Sequence, residues 1–126
     1  MNVVDSSGWL EYVANGANAE FFAPAIENLP RLVVPSLCIY EVFKRIVQQR
    51  DEHSALQVIA VMQQGRVVDL TASIALSAAK ISITLQLPLA DSVMLATAKA
   101  FRATFWTQDA DFKDVEDVKY ISKRKR

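Results

Sequence analysis

Sulfur and imidazole ligands are almost missing from this 126-residue chain, which contains one cysteine and one histidine. A single cysteine cannot form an intramolecular disulfide, and the widely separated Cys38 and His53 cannot supply the ligands of a typical zinc site. Cys38 lies in the apolar stretch 36–40 and is predicted to be buried, whereas His53 lies in the polar stretch 48–53 and is predicted to be solvated. Any metal site in this protein must therefore use oxygen ligands.

Net charge and long apolar runs are also missing. The 14 lysines and arginines balance 14 acidic residues, so no overall positive field attracts nucleic acid or an anionic membrane. No apolar run approaches the roughly 20 residues of a membrane-spanning helix, and the N-terminus lacks the features of a signal peptide. We therefore expect a cytoplasmic protein with no membrane partner, in which local cations or a metal hold any polyanion.

Glycine and proline are scarce, and no linker, repeat or low-complexity segment divides the chain. Hydrophobic residues make up 52% of the sequence, which is enough to build the core of one domain. We predict a single domain over residues 1–122, followed by a basic tail over residues 123–126. Such a tail is typically solvated, with weak affinity for RNA phosphates.

Short apolar runs alternate with amphipathic segments, which predicts an α/β fold with a mostly parallel sheet and helices on both faces. Strands are predicted over residues 2–4, 31–34, 67–68, 105–107 and 118–121. Helices are predicted over residues 9–13, 18–29, 36–49, 52–64 and 71–85, and from about residue 89 to residue 99. Ser36, Asp51 and Thr71 are predicted N-caps, and Pro24 lies inside the second helix.

Four acidic residues each lie beside an apolar run, and they are Asp5, Glu41, Asp91 and Asp109. Each acid alone has an ordinary explanation. In the first turn of a helix, Asp91 interacts with the helix dipole by about 0.3–1 kcal/mol, and Glu41 can form an exposed pair with Arg45. Four such acids together favour a site, because open α/β sheets place their sites at the carboxyl ends of the strands.

Crowded carboxylates raise one another's pKa and destabilise a fold unless a cation binds them. A convergent cluster therefore implies a divalent ion with a preference for oxygen, Mg²⁺ or Mn²⁺. Such ions bind phosphates and activate water, so the chemistry that fits is phosphodiester hydrolysis, with either one metal or two.

The motifs that surround these acids are, in chain order, Asp5-Ser6-Ser7, Glu41 after Pro35-Ser36, Leu89-Ala90-Asp91-Ser92 and Thr107-Gln108-Asp109-Ala110-Asp111-Phe112. Together they resemble the PIN-domain family, and more narrowly the VapC-type ribonuclease toxins of toxin–antitoxin pairs. The resemblance extends over essentially the whole chain and implies a three-layer α/β/α fold. It also implies an RNA endonuclease that depends on Mg²⁺ or Mn²⁺, is commonly a homodimer and is inhibited by a cognate antitoxin.

The same resemblance assigns roles to individual acids. It implies that Asp5 and Asp91 are direct metal ligands, while Glu41 and Asp109 complete the pocket directly or through water. Asp111 is an alternative fourth acid, or else a loop acid that caps the following turn.

Two hydroxyl side chains and several cations complete the expected site. Ser6 and Thr107 match positions whose hydroxyls bond to a carboxylate or to a metal-bound water. The candidate contacts to an RNA substrate, such as tRNA or another structured RNA, are Lys44, Arg45, Arg50, Arg102 and Lys113. The first three follow Glu41 on its helix, and the last two are expected near the last acids.

The two tryptophans receive different interpretations. Trp106 is flanked by strand residues and is predicted to lie in the core, whereas Trp9 is a candidate for a dimer or antitoxin surface.

Two other classes of protein fit parts of the pattern. In a receiver or phosphatase-like α/β domain, one aspartate of the domain itself becomes phosphorylated. Such a domain has a lysine at the end of a late strand, and no lysine clearly takes that place here. A PIN-fold binding module without catalysis usually lacks one or more of the acids, and all four are present here.

Overall fold

A computed structural model of the protein describes residues 1–124. Its strands are β1 (Asn2–Val4), β2 (Val33–Pro35), β3 (Arg66–Val68), β4 (Thr104–Thr107) and β5 (Val118–Tyr120). Its helices are α1 (Ser6–Val13), α2 (Ala19–Ile26), α3 (Ser36–Gln49), α4 (Glu52–Met62), α5 (Ala72–Leu85) and α6 (Leu89–Ala100). Short 3-10 helices span Leu29–Arg31 and Ala110–Phe112. The last two residues of the predicted basic tail, 125 and 126, lie outside the described residues.

All the strand pairs are parallel. β4 pairs with β1 on one side and with β5 on the other, while β2 pairs with β3. A single parallel bridge between Asn2 and Leu32 joins these two ladders in the order β3-β2-β1-β4-β5. Helices cover both faces of the sheet, which confirms the predicted three-layer α/β/α arrangement.

Most predicted elements are confirmed to within a few residues. Thr71 and Asp51 cap their helices through side-chain oxygens, as expected. The prediction for Ser36 was wrong by one position, because Ser36 is already helical and Pro35 is the N-cap. Proline brings a suitable φ but no side-chain acceptor, so this helix begins without a side-chain cap.

The predicted helix over residues 18–29 is shorter than expected. α2 ends at Ile26, although Pro24 lies inside it. The chain leaves helical geometry at Asn28, whose φ of −91° and ψ of 72° precede the 3-10 turn that contains Pro30. Residues 27–31 therefore form a compact connection to β2 rather than a last helical turn.

The core contains the sheet and the inner faces of the helices. Its largest fully buried side chains include Trp9, Phe22, Phe105 and Phe112. Cys38 is buried and His53 is exposed, as predicted, and Trp106 is buried against the sheet. The hypothesis that Trp9 lies on a dimer or antitoxin surface was wrong, because Trp9 has no exposed surface and belongs to the main core.

Gly8 allows close packing around the first turn of α1. A Cβ at Gly8 would lie 2.6 Å from Val4 Cγ1 and 2.7 Å from Phe22 Cε1, so the missing side chain lets α1 approach β1 and α2 closely. This close approach also brings the first turn of α1 against the end of β1, where the first acid lies.

α5 carries two strongly exposed apolar side chains. Leu76 is 69% exposed and Ile83 is 80% exposed, and their seven-residue spacing places them on one face of α5. The opposite face, with Ile74 and Ala78, packs on α6. Within residues 1–124 no single helix is long and apolar enough to cross a membrane; α5 and α6 satisfy that test only as a pair, with a 117° bend between them.

Candidate metal centre and active site

The acids gather at one edge because all five parallel strands end there. Asp5 directly follows β1, and Asp109 lies just beyond β4. The chain leaves β1 toward β2 on one side and returns as β4 on the other, which opens a crevice between the carboxyl ends of β1 and β4. Glu41 and Asp91 come from the N-terminal halves of α3 and α6, which contact each other.

Asp5 is held rigidly at the bottom of this edge. Its Oδ1 accepts hydrogen bonds from Ser7 Oγ at 2.9 Å and from the Gly8 amide at 2.8 Å, and its Oδ2 accepts from Thr107 Oγ1 at 2.5 Å. Burial raises the pKa of Asp5 from 3.8 to about 6, although these three hydrogen bonds oppose the shift and the charge of Asp109 adds to it. The carboxylate is therefore fixed in place at an electrostatic cost.

Thr107 joins the acids at the ends of β1 and β4. Its hydroxyl donates to Asp5 and accepts a 2.9 Å hydrogen bond from the Asp109 amide. One buried side chain thus sets the distance between the two strand ends. The sequence comparison gave this hydroxyl a role beside a carboxylate, and the structure places it there.

Glu41 faces the sheet rather than solvent. Its Oε1 accepts a 2.7 Å hydrogen bond from Ser6 Oγ, which lies one residue beyond Asp5. Glu41 is half-buried, so this contact favours the site interpretation over an exposed pair with Arg45. Ser6, like Thr107, bonds to a carboxylate, which is one of the two partners expected for these hydroxyls.

The tightest acidic group in residues 1–124 is Asp91, Asp109 and Asp111. One carboxylate oxygen from each lies within 4.8 Å of the other two. The sequence suggested Asp111 as a substitute for Asp109, but the structure brings both to the cluster. Asp109 also caps the 3-10 turn, since its Oδ1 accepts from the Asp111 amide at 2.9 Å.

The other four acids all raise the pKa of Asp91. Burial, together with the negative charges of Asp109, Asp5, Glu41 and Asp111, raises the pKa of Asp91 from 3.8 to about 7. These Coulombic contributions show that all four other acids lie near Asp91, although Asp5 and Glu41 are outside the group of three. Strongly raised carboxylate pKa values in a crevice are typical of functional sites.

The residues present fit a hard divalent cation. Three carboxylates converge to within the spacing that one ion can bridge, and they offer only oxygen ligands. The raised pKa of Asp91 indicates negative charge that protein partners do not neutralise. Asp91, Asp109 and Asp111 would hold the ion. Asp5, expected as a direct ligand, lies outside this group of three, buried with both carboxylate oxygens hydrogen-bonded, and together with Glu41 it completes the negative crevice.

The candidate cations for RNA do not all lie at this edge. Lys44 and Arg45 are exposed one turn beyond Glu41, and Lys113 is exposed next to the Asp109 turn. Arg102 instead precedes β4, with Lys99 at the opposite edge of the sheet.

Arg50 is also distant from the acids. It ends α3, roughly 13 Å along the helix from Glu41 at 1.5 Å per residue. It lines a groove of about 500 Å³ between α1, α3 and α4, with Leu10, Tyr12 and Val58 among the other lining residues. None of the acids lines this groove. The candidate site is therefore the carboxyl edge of the sheet where Asp5, Glu41, Asp91, Asp109 and Asp111 gather, which we call the acid edge.

A polar network beside the acids was missed by the sequence interpretation. Asn18 is fully buried, and its Nδ2 donates to Gln108 Oε1 at 2.9 Å and to the Ser122 carbonyl at 3.0 Å. Arg124 Nε donates to Asn18 Oδ1 at 2.7 Å. An asparagine before an apolar helix suggests an N-cap, but Asn18 makes no capping hydrogen bond with its side chain.

The amino-acid sequence shows which family has this fold and this acidic site. Residues 3–118 match the model of the PIN domain, so the chain belongs to the PIN domain family. No curated protein sequence matches the chain at a significant level.

Solved structures with a similar fold include a toxin–antitoxin complex from Klebsiella pneumoniae, with a TM-score of 0.79 and 18% identity over 94% of this chain and 96% of that one. VapC20 from Mycobacterium tuberculosis, described as a sarcin–ricin loop cleaving toxin, has a TM-score of 0.76 and 17% identity over 92% and 95% of the two chains. DNA-bound VapBC from Salmonella typhimurium has a TM-score of 0.73 and 12% identity over 96% of each chain. At these identities the structures establish the shared fold, and the resemblance to VapC proteins suggested by the motifs is confirmed.

Proposed function

We propose that this protein is a metal-dependent endoribonuclease, the toxin of a toxin–antitoxin pair, acting on RNA in the cytoplasm. The observation that carries the proposal is the convergence of Asp91, Asp109 and Asp111 at the carboxyl edge of the sheet. Membership of the PIN domain family and structural likeness to an RNA-cleaving toxin support it. The ion we propose is Mg²⁺ or Mn²⁺.

Each side chain has a distinct task in the proposed reaction. Asp91, Asp109 and Asp111 hold the ion, Thr107 fixes the spacing of Asp5 and Asp109, and Ser6 orients Glu41 at the crevice. When bound, the ion neutralises phosphate charge and acidifies water for in-line attack on phosphorus.

The proposed substrate contacts are three exposed cations among the candidates, Lys44, Arg45 and Lys113. Their charges would bind the RNA backbone on either side of the crevice, because the acids themselves repel phosphates. All four predicted acids are present in one crevice, which favours a catalytic protein over a binding module that has lost its activity.

Cleavage of a mixed pool of tRNA and other structured RNA by the purified chain tests the proposal directly. Parallel reactions contain Mg²⁺, Mn²⁺ or EDTA, and products are resolved on denaturing gels. We expect discrete fragments with either metal and none with EDTA. Equal cleavage in EDTA would contradict a metal-dependent mechanism.

The proposed protein partner is an antitoxin that covers the acid edge with a cation or an apolar anchor. Replacing Asp91 with asparagine removes charge from that edge and is expected to weaken the complex at least about tenfold. The affinity is measured by calorimetry with the cognate antitoxin. Asp117→Asn, at the opposite edge, is the control, and it should leave the affinity unchanged. Unchanged affinity in Asp91→Asn would exclude direct blocking of the crevice.

We also propose a homodimer that buries the exposed face of α5. Leu76 and Ile83 present an apolar surface there that has no partner within the described chain. Ile83→Glu should convert the dimer into a monomer, because a buried charge without a partner is unfavourable. Light scattering after size exclusion measures the mass, and Leu56→Glu on α4, which is 52% exposed, is the control that should remain dimeric.

A further inference from the structure

We propose that Asn18 and Gln108, held in orientation by the segment after β5, are positioning residues for the metal centre. The inference rests on the proposed function, because it assumes that the acid edge binds a divalent ion. It adds to that function a network that lies outside the acids and reaches the end of the described chain.

Gln108 connects the two strand ends that carry Asp5 and Asp109. It is buried directly before Asp109, and its Nε2 donates to the Ser7 carbonyl at 3.3 Å. Ser7 lies in the first turn of α1, where its hydroxyl bonds to Asp5. The Gln108 amide therefore ties the loop after β4 to the helix that Asp5 caps.

The tie requires one of the two possible orientations of the Gln108 amide. A carboxamide has an acceptor and a donor, and only the NH₂ group can bond to the carbonyl of Ser7. Asn18 enforces that orientation because its Nδ2 donates to Gln108 Oε1 at 2.9 Å. If the Asn18 amide reversed, it would present oxygen to Gln108 Oε1, and the pair could bond only if the Gln108 amide also turned away from Ser7.

The orientation of Asn18 is in turn fixed from the other side. The Ser122 carbonyl accepts from Asn18 Nδ2 at 3.0 Å, and Arg124 Nε donates to Asn18 Oδ1 at 2.7 Å. Arg124 Nη2 also donates to the Ala17 carbonyl at 3.3 Å. The segment after β5 thus determines the orientation of Asn18, and through it that of Gln108.

This chain of hydrogen bonds ends next to the ligands. Thr107 and Asp109 flank Gln108, and Asp109 belongs to the tightest acidic group. Residues that orient ligands from outside the coordination sphere typically change metal affinity by 10-fold to 100-fold when replaced. A core contact of purely structural importance would change the stability of the protein without changing how the folded protein binds metal.

Mn²⁺ binding to the full chain, measured by isothermal titration calorimetry, tests the inference. Each titration is run without EDTA, well below the temperature at which the metal-free variant unfolds. Gln108→Met keeps the side-chain length and removes both hydrogen bonds, and it should weaken Mn²⁺ binding about tenfold. Arg124→Gln should weaken it about threefold, because Ser122 still holds Asn18.

Two variants serve as matched controls. Lys123→Gln removes the same charge as Arg124→Gln from the adjacent position. Thr97→Val removes a buried hydroxyl that bonds only to its own helix, at the Val93 carbonyl. Both should bind Mn²⁺ within about twofold of the unmodified chain.

The outcomes separate the inference from the proposed function. Unchanged Mn²⁺ affinity in Gln108→Met and Arg124→Gln would overturn the inference alone, even if both variants unfold at lower temperature. Equal weakening by Lys123→Gln and Arg124→Gln would also overturn it, because charge alone would then explain the effect. An unmodified chain that binds no Mn²⁺ would contradict the proposed function and the inference together. If Gln108→Met does not fold, the comparison between Arg124→Gln and Lys123→Gln decides.

Discussion

Asp91→Asn should reduce RNA cleavage at least about a hundredfold while raising the unfolding temperature of the metal-free protein. Cleavage falls because the substitution replaces one of the three charged ligands with a neutral amide. The unfolding temperature rises because burial and four neighbouring acids raise the pKa of Asp91 to about 7, so the folded metal-free protein favours a neutral side chain there. The favourable dipole interaction that the variant forfeits is only about 0.3–1 kcal/mol.

Cleavage is followed on denaturing gels at saturating Mg²⁺, and unfolding is followed by circular dichroism in EDTA at pH 7.5. Asp117→Asn is the matched control, since this exposed acid lies at the opposite edge. Its φ of 60° is also a conformation that asparagine tolerates well. An Asp91→Asn variant that cleaves within about threefold of the unmodified chain would exclude Asp91 as a ligand, and one that unfolds earlier would contradict the electrostatic account.

Stability of the metal-free protein should fall as the pH rises from 5 to 7.5. The folded-state pKa values of Asp5 and Asp91, about 6 and about 7, are above the ordinary value of 3.8. The folded state therefore binds more protons than the unfolded state in this window, and stability declines as the two groups ionise. For Asp5 the shift of about two units is worth on the order of 3 kcal/mol in total. Ionisation between pH 5 and pH 7.5 accounts for roughly half of this free energy, which corresponds to a decrease of roughly 5 °C in Tm.

Saturating Mg²⁺ should reverse this trend, because the ion binds the ionised carboxylates of the folded state. Thermal melts at pH 5, 6, 7 and 7.5, with Mg²⁺ or with EDTA at matched ionic strength, measure both effects. The stabilising carboxylate Asp51, whose pKa is lowered by hydrogen bonds from Ser54, is already ionised at pH 5 and does not contribute to the trend. A Tm that rises with pH in EDTA would contradict the prediction.

The sequence predicted the elements and the acids well, because both depend on local patterns. Alternating apolar runs located the strands, and Pro88 followed by Leu89 located the start of α6. Ser6 and Thr107 could be matched through the resemblance to the PIN-domain family, because each lies within a short motif beside one of the acids. Such positions need no knowledge of which strands are neighbours.

Errors arose where distance in space differs from distance along the chain. Arg102 is seven residues from Asp109, but β4 runs between them and carries them to opposite edges of the sheet. Trp9 is four residues from Asp5, but its side chain lies in the main core. The contact between Asn18 and Gln108 spans 90 residues and has no local signal.

The order of the strands also determines when the centre can exist. β4 is the middle of the ladder β1-β4-β5, yet residues 104–107 are synthesised after β1, β2, β3 and all six helices. A nascent chain that has not reached them has β1 without its main partner and lacks Thr107, Asp109 and Asp111. The proposed nuclease can therefore form only after Asp111 has left the ribosome, so the translating ribosome is protected from it until that point.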